Sequence, residues 1–349
     1  MKNRTLRKIW ICTDVWMDIF PFFDRPQLGL KLALLSPRFD VLVDAHFDGK
    51  RQLTIWSQIQ IEQRFVLTAF QSKFEDFPMP ERPLPRKIRF DHLLIEYIDY
   101  SVIAFLRSNK HVFDRGTKLY LHVPSFDYES PRLPSTEIEI MERKWDIMSR
   151  EIWPIFAPNI RHLDIADGGH LDHLRRLISP TILFDMINLN SMCSADLFPD
   201  VIADDGPNAT AGQALSKWLH TPRKDGQPKR LCCKLLHVPV NEAKEWVNNF
   251  KKAFGHATAS ASSYQFELAY YKLIKAHFEP FELVNERTKE RLTLSEDGNY
   301  KVLITRCPIS GEKAVWQKNK KLADQFNSTV SFQLYAVMGP LFAPAETDG

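Results

Sequence analysis

Short apolar segments typical of strands recur through the middle of this sequence, with amphipathic helical segments between them. Leu119, Leu163, Ile187 and Leu231 each open an apolar–x–apolar pair, and they lie 44, 24 and 44 residues apart. Connections of a dozen or more residues favour parallel pairing of the strands, because antiparallel neighbours need only a short turn. We therefore expect residues 86–270 to fold as strand–helix units around a parallel sheet.

Two of the helical segments have clear boundary signals. Thr136 and Glu139 make a capping box, and Pro154 is expected to end the helix that they begin. Asn241 is expected to cap a second helix, and Gly255 to stop it. The first helix carries apolar residues at spacings of three and four, namely Ile138, Met141, Trp145, Met148 and Ile152.

The strand candidates of this region allow two architectures. A curved sheet like that of leucine-rich repeats would offer a long concave binding surface. The repeat periods are unequal and no clear Leu-x-x-Leu-x-Leu series occurs, so a compact α/β domain is an equal alternative. The candidates are Leu93–Ile98, Lys118–Val123, His162–Ile165, Met186–Leu189, Arg230–Leu235 and Tyr264–Ala269.

The C-terminal part changes character and predicts an antiparallel meander. Its strands are expected at 281–284, 291–294 and 300–304, with a polar helix near 312–324 and a strand at 330–337 that completes the meander. The proline-rich stretch 78–85 is the expected linker. The fold class is therefore α+β or α/β, and the chain divides into four parts: residues 1–50, a connector at 51–85, the strand–helix region at 86–270, and the β-rich region at 271–349.

The first fifty residues predict three short helices. Ile11, Val15, Ile19 and Phe23 make the apolar stripe of the first, and Ser36-Pro37 begins the third. Three helices of this size bury too little surface to be comfortably stable alone. We expect Trp16, Met17 and Phe20 to remain as apolar surface that a partner covers. A plain helical subdomain packed on the rest of the chain is the alternative.

The runs 11–20 (ICTDVWMDIF) and 32–39 (LALLSPRF) resemble the F-box, and the chain as a whole resembles the expanded F-box families of nematodes. The resemblance implies a substrate-recognition subunit of an SCF-type (Skp–cullin–F-box) ubiquitin ligase. Such a subunit docks on the Skp adaptor, through it on cullin, and presents a target protein, without catalytic residues of its own. The positions implied at or behind the adaptor interface are Ile11, Cys12, Val15, Ile19, Phe20, Leu35 and Phe39.

One position departs from the family pattern. F-boxes usually open with leucine–proline, and this chain has Ile11-Cys12. Isoleucine can fill an apolar pocket, but the proline that sets the approach to the helix is lost. The alternative function is therefore a non-catalytic binding scaffold with a degenerate F-box that is not assembled into a ligase.

Composition narrows the partners and the compartment. The 46 basic and 43 acidic residues give a net charge of +3, which makes no case for nucleic acid. Five scattered cysteines favour a reducing compartment, cytoplasmic or nuclear. Charges interrupt the apolar run near the N-terminus, and we expect neither a secretory signal nor a membrane segment.

The candidates for chemistry are few. His162, His170 and His173 could share a metal in a hydrolase, although their spacing fits no known ligand pattern. Cys232 and Cys233 fall in an alternating strand, so we expect Cys233 to be buried and Cys232 to lie on the opposite face. No GxSxG, Walker or GxGxxG motif occurs. We expect no catalytic site, metal or cofactor.

Overall fold

The computed structural model describes residues 10–23, 27–47, 55–59, 66–69, 75–78, 82–84, 90–98, 100–114, 116–122, 135–270, 278–296, 301–310 and 330–338. The first two of these ranges form a helical head. Its elements are α1 (Thr13–Ile19), a 3-10 turn (Phe20–Phe22), a π-helical turn (Leu28–Leu32) that continues into α2 (Ala33–Leu35), and α3 (Pro37–Phe47).

The rest of the described chain is a mixed α/β structure with thirteen strands. They are β1 (Ile55–Ile59), β2 (Val66–Ala69), β3 (Glu75–Pro78), β4 (Phe90–Ile98), β5 (Thr117–His122), β6 (Ile160–Ile165), β7 (Ser191–Ala195), β8 (Lys229–Leu235), β9 (Tyr264–Tyr270), β10 (Phe281–Asn285), β11 (Glu290–Glu296), β12 (Lys301–Pro308) and β13 (Val330–Met338). Three of them, β1 to β3, lie in the segment that the sequence predicted as a connector.

Eleven strands form one sheet in the order β1-β4-β13-β5-β6-β7-β8-β9-β12-β11-β10, and β2 pairs with β3 separately. The strands from β1 through β9 in this order are parallel. The long connections predicted this for the strands of residues 86–270, but not for β1 and β13. The remaining ladders, from β9 through β12 and β11 to β10, are antiparallel. The meander predicted for β10 to β12 is confirmed, and it extends the same sheet.

Two strand predictions are corrected. The apolar segment 186–189 forms a turn, and the strand there is β7, a few residues later. The C-terminal strand does not complete the meander, because β13 pairs in parallel with both β4 and β5. The polar helix predicted at 312–324 lies outside the described residues.

Helices connect the parallel strands. They are α4 (Tyr100–Ser108), α5 (Ser135–Ile147), α6 (Trp153–Phe156), α7 (Gly168–Leu177), α8 (Ile182–Asp185), α9 (Ala211–His220) and α10 (Val240–His256). Because β5 to β9 lie side by side in chain order and parallel crossovers are right-handed, their connecting helices fall on one side of the sheet. The ring of Trp246 on α10 meets Phe266 on β9 at 5.1 Å on that side.

Alternation along the strands separates the two faces. In β8 every second side chain, from Lys229 to Leu235, is buried, and the residues between them are half-buried. Cys233 is fully buried and Cys232 lies on the other face, as predicted. Within the described part of the chain, no helix is both long and apolar enough to cross a bilayer.

Two helix boundaries differ from the sequence prediction. Pro154 does not end the helix before it; it occupies the first turn of α6, where its missing N–H has no intrahelical partner to lose. A π-helical turn (Met148–Ile152) joins α5 to α6. In α10 the N-cap is Pro239, so Asn241 lies inside the helix, and Gly255 lies in its last turn.

Candidate functional site

The helical head contributes buried apolar side chains to the one hydrophobic core cluster of the described residues. Phe20 and Val43 are fully buried there, and Leu28, Leu42 and Phe47 are nearly so. The Trp16 ring lies edge-on to Phe39, 4.8 Å between centroids, and Phe20 lies edge-on to His46 at 5.5 Å. These ring contacts join α1 to α3.

Arg38, at the start of α3, fixes the chain that leads into α1. Its Nη2 donates a hydrogen bond of 2.7 Å to the carbonyl oxygen of Ile11. Its guanidinium lies 4.8 Å from the centre of the Trp10 ring, a cation–π distance. The N-cap residue Cys12 has φ −68° and ψ 162°. This φ is the one that proline imposes, so the approach to α1 keeps the geometry that proline would set.

Several large apolar side chains of the head point to solvent. Leu35 is 65% exposed and Val15 is 43% exposed. Arg38 and Val41 lie one turn apart on α3, so Val41 shares the face on which Trp10 stacks. The exposed apolar residues of the head are Trp10, Val15, Phe22, Phe23, Leu35 and Val41.

The seven sequence-predicted interface residues fall into three classes. Cys12, Val15 and Leu35 are exposed, whereas Ile11, Ile19 and Phe39 are half-buried. Phe20 is fully buried in the core of the head. It can therefore support a surface but cannot contact a partner without unfolding.

The prediction that Trp16, Met17 and Phe20 remain as exposed apolar surface is wrong. Phe20 is buried, and Trp16 and Met17 pack partly buried against the core. The sequence missed Trp10, Phe22 and Val41, because helical periodicity does not identify exposed apolar residues that lie outside a helix or off its apolar stripe.

A second surface is the face of the sheet opposite to the connecting helices, which we call the open face. Register places three rows of side chains across it. The first row is Lys118, His162, Ser191, Arg230 and Gln265; the middle row is Tyr120, Asp164, Cys193, Cys232, Glu267 and Leu303; the third row is Ala195, Lys234, Ala269 and Lys301.

Two ion pairs cross the open face. Lys234 Nζ lies 3.0 Å from Asp164 Oδ2, and this pair joins β8 to β6 over the intervening strand. Lys301 Nζ lies 2.8 Å from Glu267 Oε1. Burial raises the pKa of Asp164, although the charge of Lys234 and its hydrogen bond act to lower it. Burial alone would lower the pKa of Lys234, but the charge of Asp164 and a hydrogen bond with it raise the pKa above its ordinary value.

The two thiols of the middle row lie on neighbouring strands and interact with each other. A hydrogen bond with Cys232, together with burial, raises the pKa of Cys193 far above its ordinary value. The Cys232 thiol in turn donates a hydrogen bond to Glu267 Oε1, with 3.8 Å between the sulfur and the oxygen. A thiol that is kept protonated is a poor nucleophile, so Cys193 is not an activated cysteine.

His162 lies in the first row, where its Nδ1 is 2.9 Å from Ser191 Oγ. Burial, Lys118 and Lys234 lower the pKa of His162 to about 4. The imidazole is therefore neutral at physiological pH. That two ammonium groups contribute to this shift indicates a positive potential on the open face.

The structure does not bring the three histidines of the metal hypothesis together. His170 Nδ1 bonds to Asp167 at 3.0 Å and His173 Nδ1 to the carbonyl oxygen of Gly169 at 2.8 Å, both at the start of α7. Both rings pack on Trp145, whereas His162 is on the sheet. Across the described ranges, no group of three His, Cys, Asp or Glu residues is placed to hold a metal ion.

A buried polar cluster lies at one end of β8, β9 and β12. Arg306 Nη2 donates to Glu290 Oε2 at 2.6 Å, and both side chains are buried. Burial lowers the pKa of Lys229 to about 7, and its ammonium donates to the carbonyl of Trp218. Ser216 is fully buried beside His220, so this pair has no access to a substrate.

Comparisons of the chain with protein-family models, with curated proteins and with solved structures gave no match. The surfaces themselves therefore carry the functional inference.

Proposed function

We propose that this protein is the substrate-recognition subunit of an SCF-type ubiquitin ligase, and that its helical head is an F-box that docks on the Skp adaptor. The observation that carries the proposal is the exposure of Leu35 and Val15 on a head that buries other apolar side chains, such as Phe20. Exposed apolar side chains of this number on a small helical unit are typical of a surface that a partner covers.

The geometry before α1 supports the same proposal. The family's proline is replaced by Cys12, but the backbone there keeps a proline-like φ, and Arg38 ties Ile11 to α3. The departure at Ile11-Cys12 therefore does not disturb the approach to α1.

Such a receptor acts by proximity. Docking of the head on the adaptor, with a target on the rest of the chain, would make transfer of ubiquitin to a target lysine effectively intramolecular. The chain would supply no nucleophile, in keeping with the raised pKa of the Cys193 thiol. The chain order of β5 to β9 and their one-sided helices support a repeat-like binding region over the compact alternative.

Co-purification of the full chain with the Skp adaptor tests the proposal. We expect a stable complex with the wild type, and we expect Leu35→Asp and Val15→Asp to weaken it at least about tenfold, because a carboxylate would be buried without a partner. Both residues are exposed in the free chain, so these substitutions leave its fold intact. Ile19→Asp and Phe39→Asp are less suitable, since both residues are half-buried in the head.

The matched control is Ile187→Asp. Ile187 is 70% exposed, close to Leu35 in this respect, but lies far along the chain in the turn before β7. We expect this variant to bind the adaptor like the wild type. Absence of a complex with the wild type would favour the scaffold alternative, and equal binding by all variants would exclude the head as the docking surface.

A further inference from the structure

We infer that the open face of the sheet binds an acidic, extended segment of a partner protein. This inference goes beyond adaptor docking, because it names the chemistry of the target. It rests on the proposed function only in one respect, namely that the bound partner would then be ubiquitinated. The inference comes from how charge is distributed over β5 to β9 and β12.

Cations outnumber carboxylates among the described side chains of the three rows. Lys118 and Arg230 lie in the first row, and Lys234 and Lys301 in the third, against Asp164 and Glu267 in the middle row. The net charge of these side chains is therefore positive, although the whole chain is nearly neutral. Internal contacts do not remove this net charge, which sets the potential that an approaching partner meets.

The ion pairs present their cations to solvent. The side chain of Lys234 is 43% exposed and that of Asp164 16%. In the second pair, Lys301 is 49% exposed and Glu267 27%. The carboxylates thus lie deeper than the ammonium groups, and a partner would meet a basic surface on either side of the middle row.

The dimensions fit an extended peptide. Strands are about 4.8 Å apart, so the six strands from β5 to β12 span about 24 Å, a length that about seven extended residues cover. Two residues along a strand separate the first row from the middle row, about 7 Å, and the third row lies equally far on the other side. A segment lying over the middle row could therefore extend acidic side chains to the cations of both outer rows.

The same arrangement disfavours nucleic acid. Asp164 and Glu267 lie under the path of the segment, where they would repel a continuous phosphate backbone. Among the residues named in the three rows, the aromatic rings are those of Tyr120 and His162, which are too few for a run of stacked bases. Discrete carboxylates spaced along a peptide avoid the middle row and reach the outer ones.

Fluorescence anisotropy with the full chain alone tests the inference. The probe is a fluorescein-labelled peptide of alternating glutamate and serine, about ten residues long, so that it exceeds the span of the face. We expect saturable binding at low ionic strength that weakens as salt is added. A glutamine-for-glutamate peptide and a lysine-for-glutamate peptide should not bind.

The double variant Lys118→Gln with Lys301→Gln removes one cation from each outer row, and we expect the Kd to rise about tenfold. The matched control is Lys217→Gln with Lys252→Gln, which removes the same charge from exposed positions on α9 and α10. It should leave the Kd unchanged. The variant Lys118→Arg with Lys301→Arg keeps the charge and should bind like the wild type. This result would show that the glutamine variant binds more weakly because it has lost charge and not because its fold is disturbed.

Three results would overturn the inference: no binding of the acidic peptide to the wild type, equal weakening by both glutamine pairs, or tighter binding of a single-stranded oligothymidine than of the peptide. Because the adaptor is absent from this assay, its failure leaves the adaptor complex untouched. Conversely, loss of the adaptor complex does not change the expected peptide binding.

Discussion

The imidazole of His162 shows how a single side chain takes its properties from the face of the sheet on which it lies. It lies between strands that carry Lys118 and Lys234, and burial adds to their effect, so it stays neutral down to about pH 4. His220, beside the buried ion pair of Glu290 and Arg306, has its pKa lowered to about 4, chiefly by burial. Both histidines take up a proton more easily in the unfolded chain, where their pKa is near 6.5.

This difference predicts acid sensitivity. Between about pH 6.5 and pH 4 the unfolded state binds more protons, so the free energy of unfolding falls as pH is lowered through this window. Each histidine should account for about 2 kcal/mol between pH 7 and about pH 5. We expect His162→Gln to reduce the wild-type loss by about that amount, measured as urea unfolding at the two pH values.

The control is His256→Gln, because His256 is exposed at the end of α10. It should lose as much stability on acidification as the wild type. If His162→Gln and His256→Gln behave alike, His162 is not held neutral by its surroundings.

At this scale the sequence predicts only what local geometry dictates. The opposite faces of Cys232 and Cys233 follow from the two-residue period of a strand, and that prediction is confirmed. The ion pair of Glu290 with Arg306 joins β11 to β12, and its burial depends on elements far away in the chain. No spacing in the sequence indicates it.

Helix ends are the elements at which prediction and structure differ most. Pro154 and Gly255 are both stop signals by sequence, yet Pro154 begins α6 and Gly255 lies inside α10. By contrast, the N-terminus of α9 follows local rules: Thr210 and Gln213 form a reciprocal capping box. Pro154 is tolerated because it lies in a first turn, and Gly255 is only one residue from the last residue of α10, His256.

Two helical glycines should respond oppositely to alanine. A Cβ on Gly212 of α9 would lie 2.8 Å from the carbonyl oxygen of Phe198 and 3.0 Å from Asp200, whereas one on Gly255 would meet nothing within 4 Å. We expect Gly212→Ala to lower the free energy of unfolding by about 1 to 3 kcal/mol through overpacking. Gly255→Ala should raise it by about 0.5 kcal/mol.

Urea unfolding of the two variants checks this pair, and each is the control for the other. A stabilised Gly212→Ala would mean that the loop before α9 moves away freely, and that the close approach is not required.

The strands that were predicted best are those with strong apolar alternation. The three strands of the segment 51–85 were not predicted, and β7 was misplaced because its small residues carry little apolar signal. Neighbouring apolar residues such as Ile187, exposed in the turn before β7, gave the stronger pattern.

On the scale of the whole molecule, a single sheet joins the strand–helix region to the C-terminal meander. The parallel order of β5 to β9 could be predicted from the length of the connections. The place of β13 could not, because alternation identifies a strand but not its neighbours. In the structure β13 lies between β4 and β5 in the sheet, although β4 and β5 are consecutive strands along the chain.

A proline in β13 should show this dependence. Phe332 is in register with Leu93 on β4 and with Leu119 on β5. Phe332→Pro removes a ladder donor from a central strand, and we expect faster amide hydrogen exchange in both neighbours. The control Leu283→Pro, on the edge strand β10, should speed exchange only near β11. Unchanged protection of β5 in Phe332→Pro would contradict the position of β13.

The late arrival of β13 also has a consequence for biosynthesis. While the ribosome is still translating the meander, β4 and β5 have emerged with no strand to fill the gap between them, and each offers a row of unsatisfied backbone groups. The nascent chain is thus exposed to edge-to-edge aggregation until translation reaches its last strand, and a chaperone that shields this gap would be most useful in that interval.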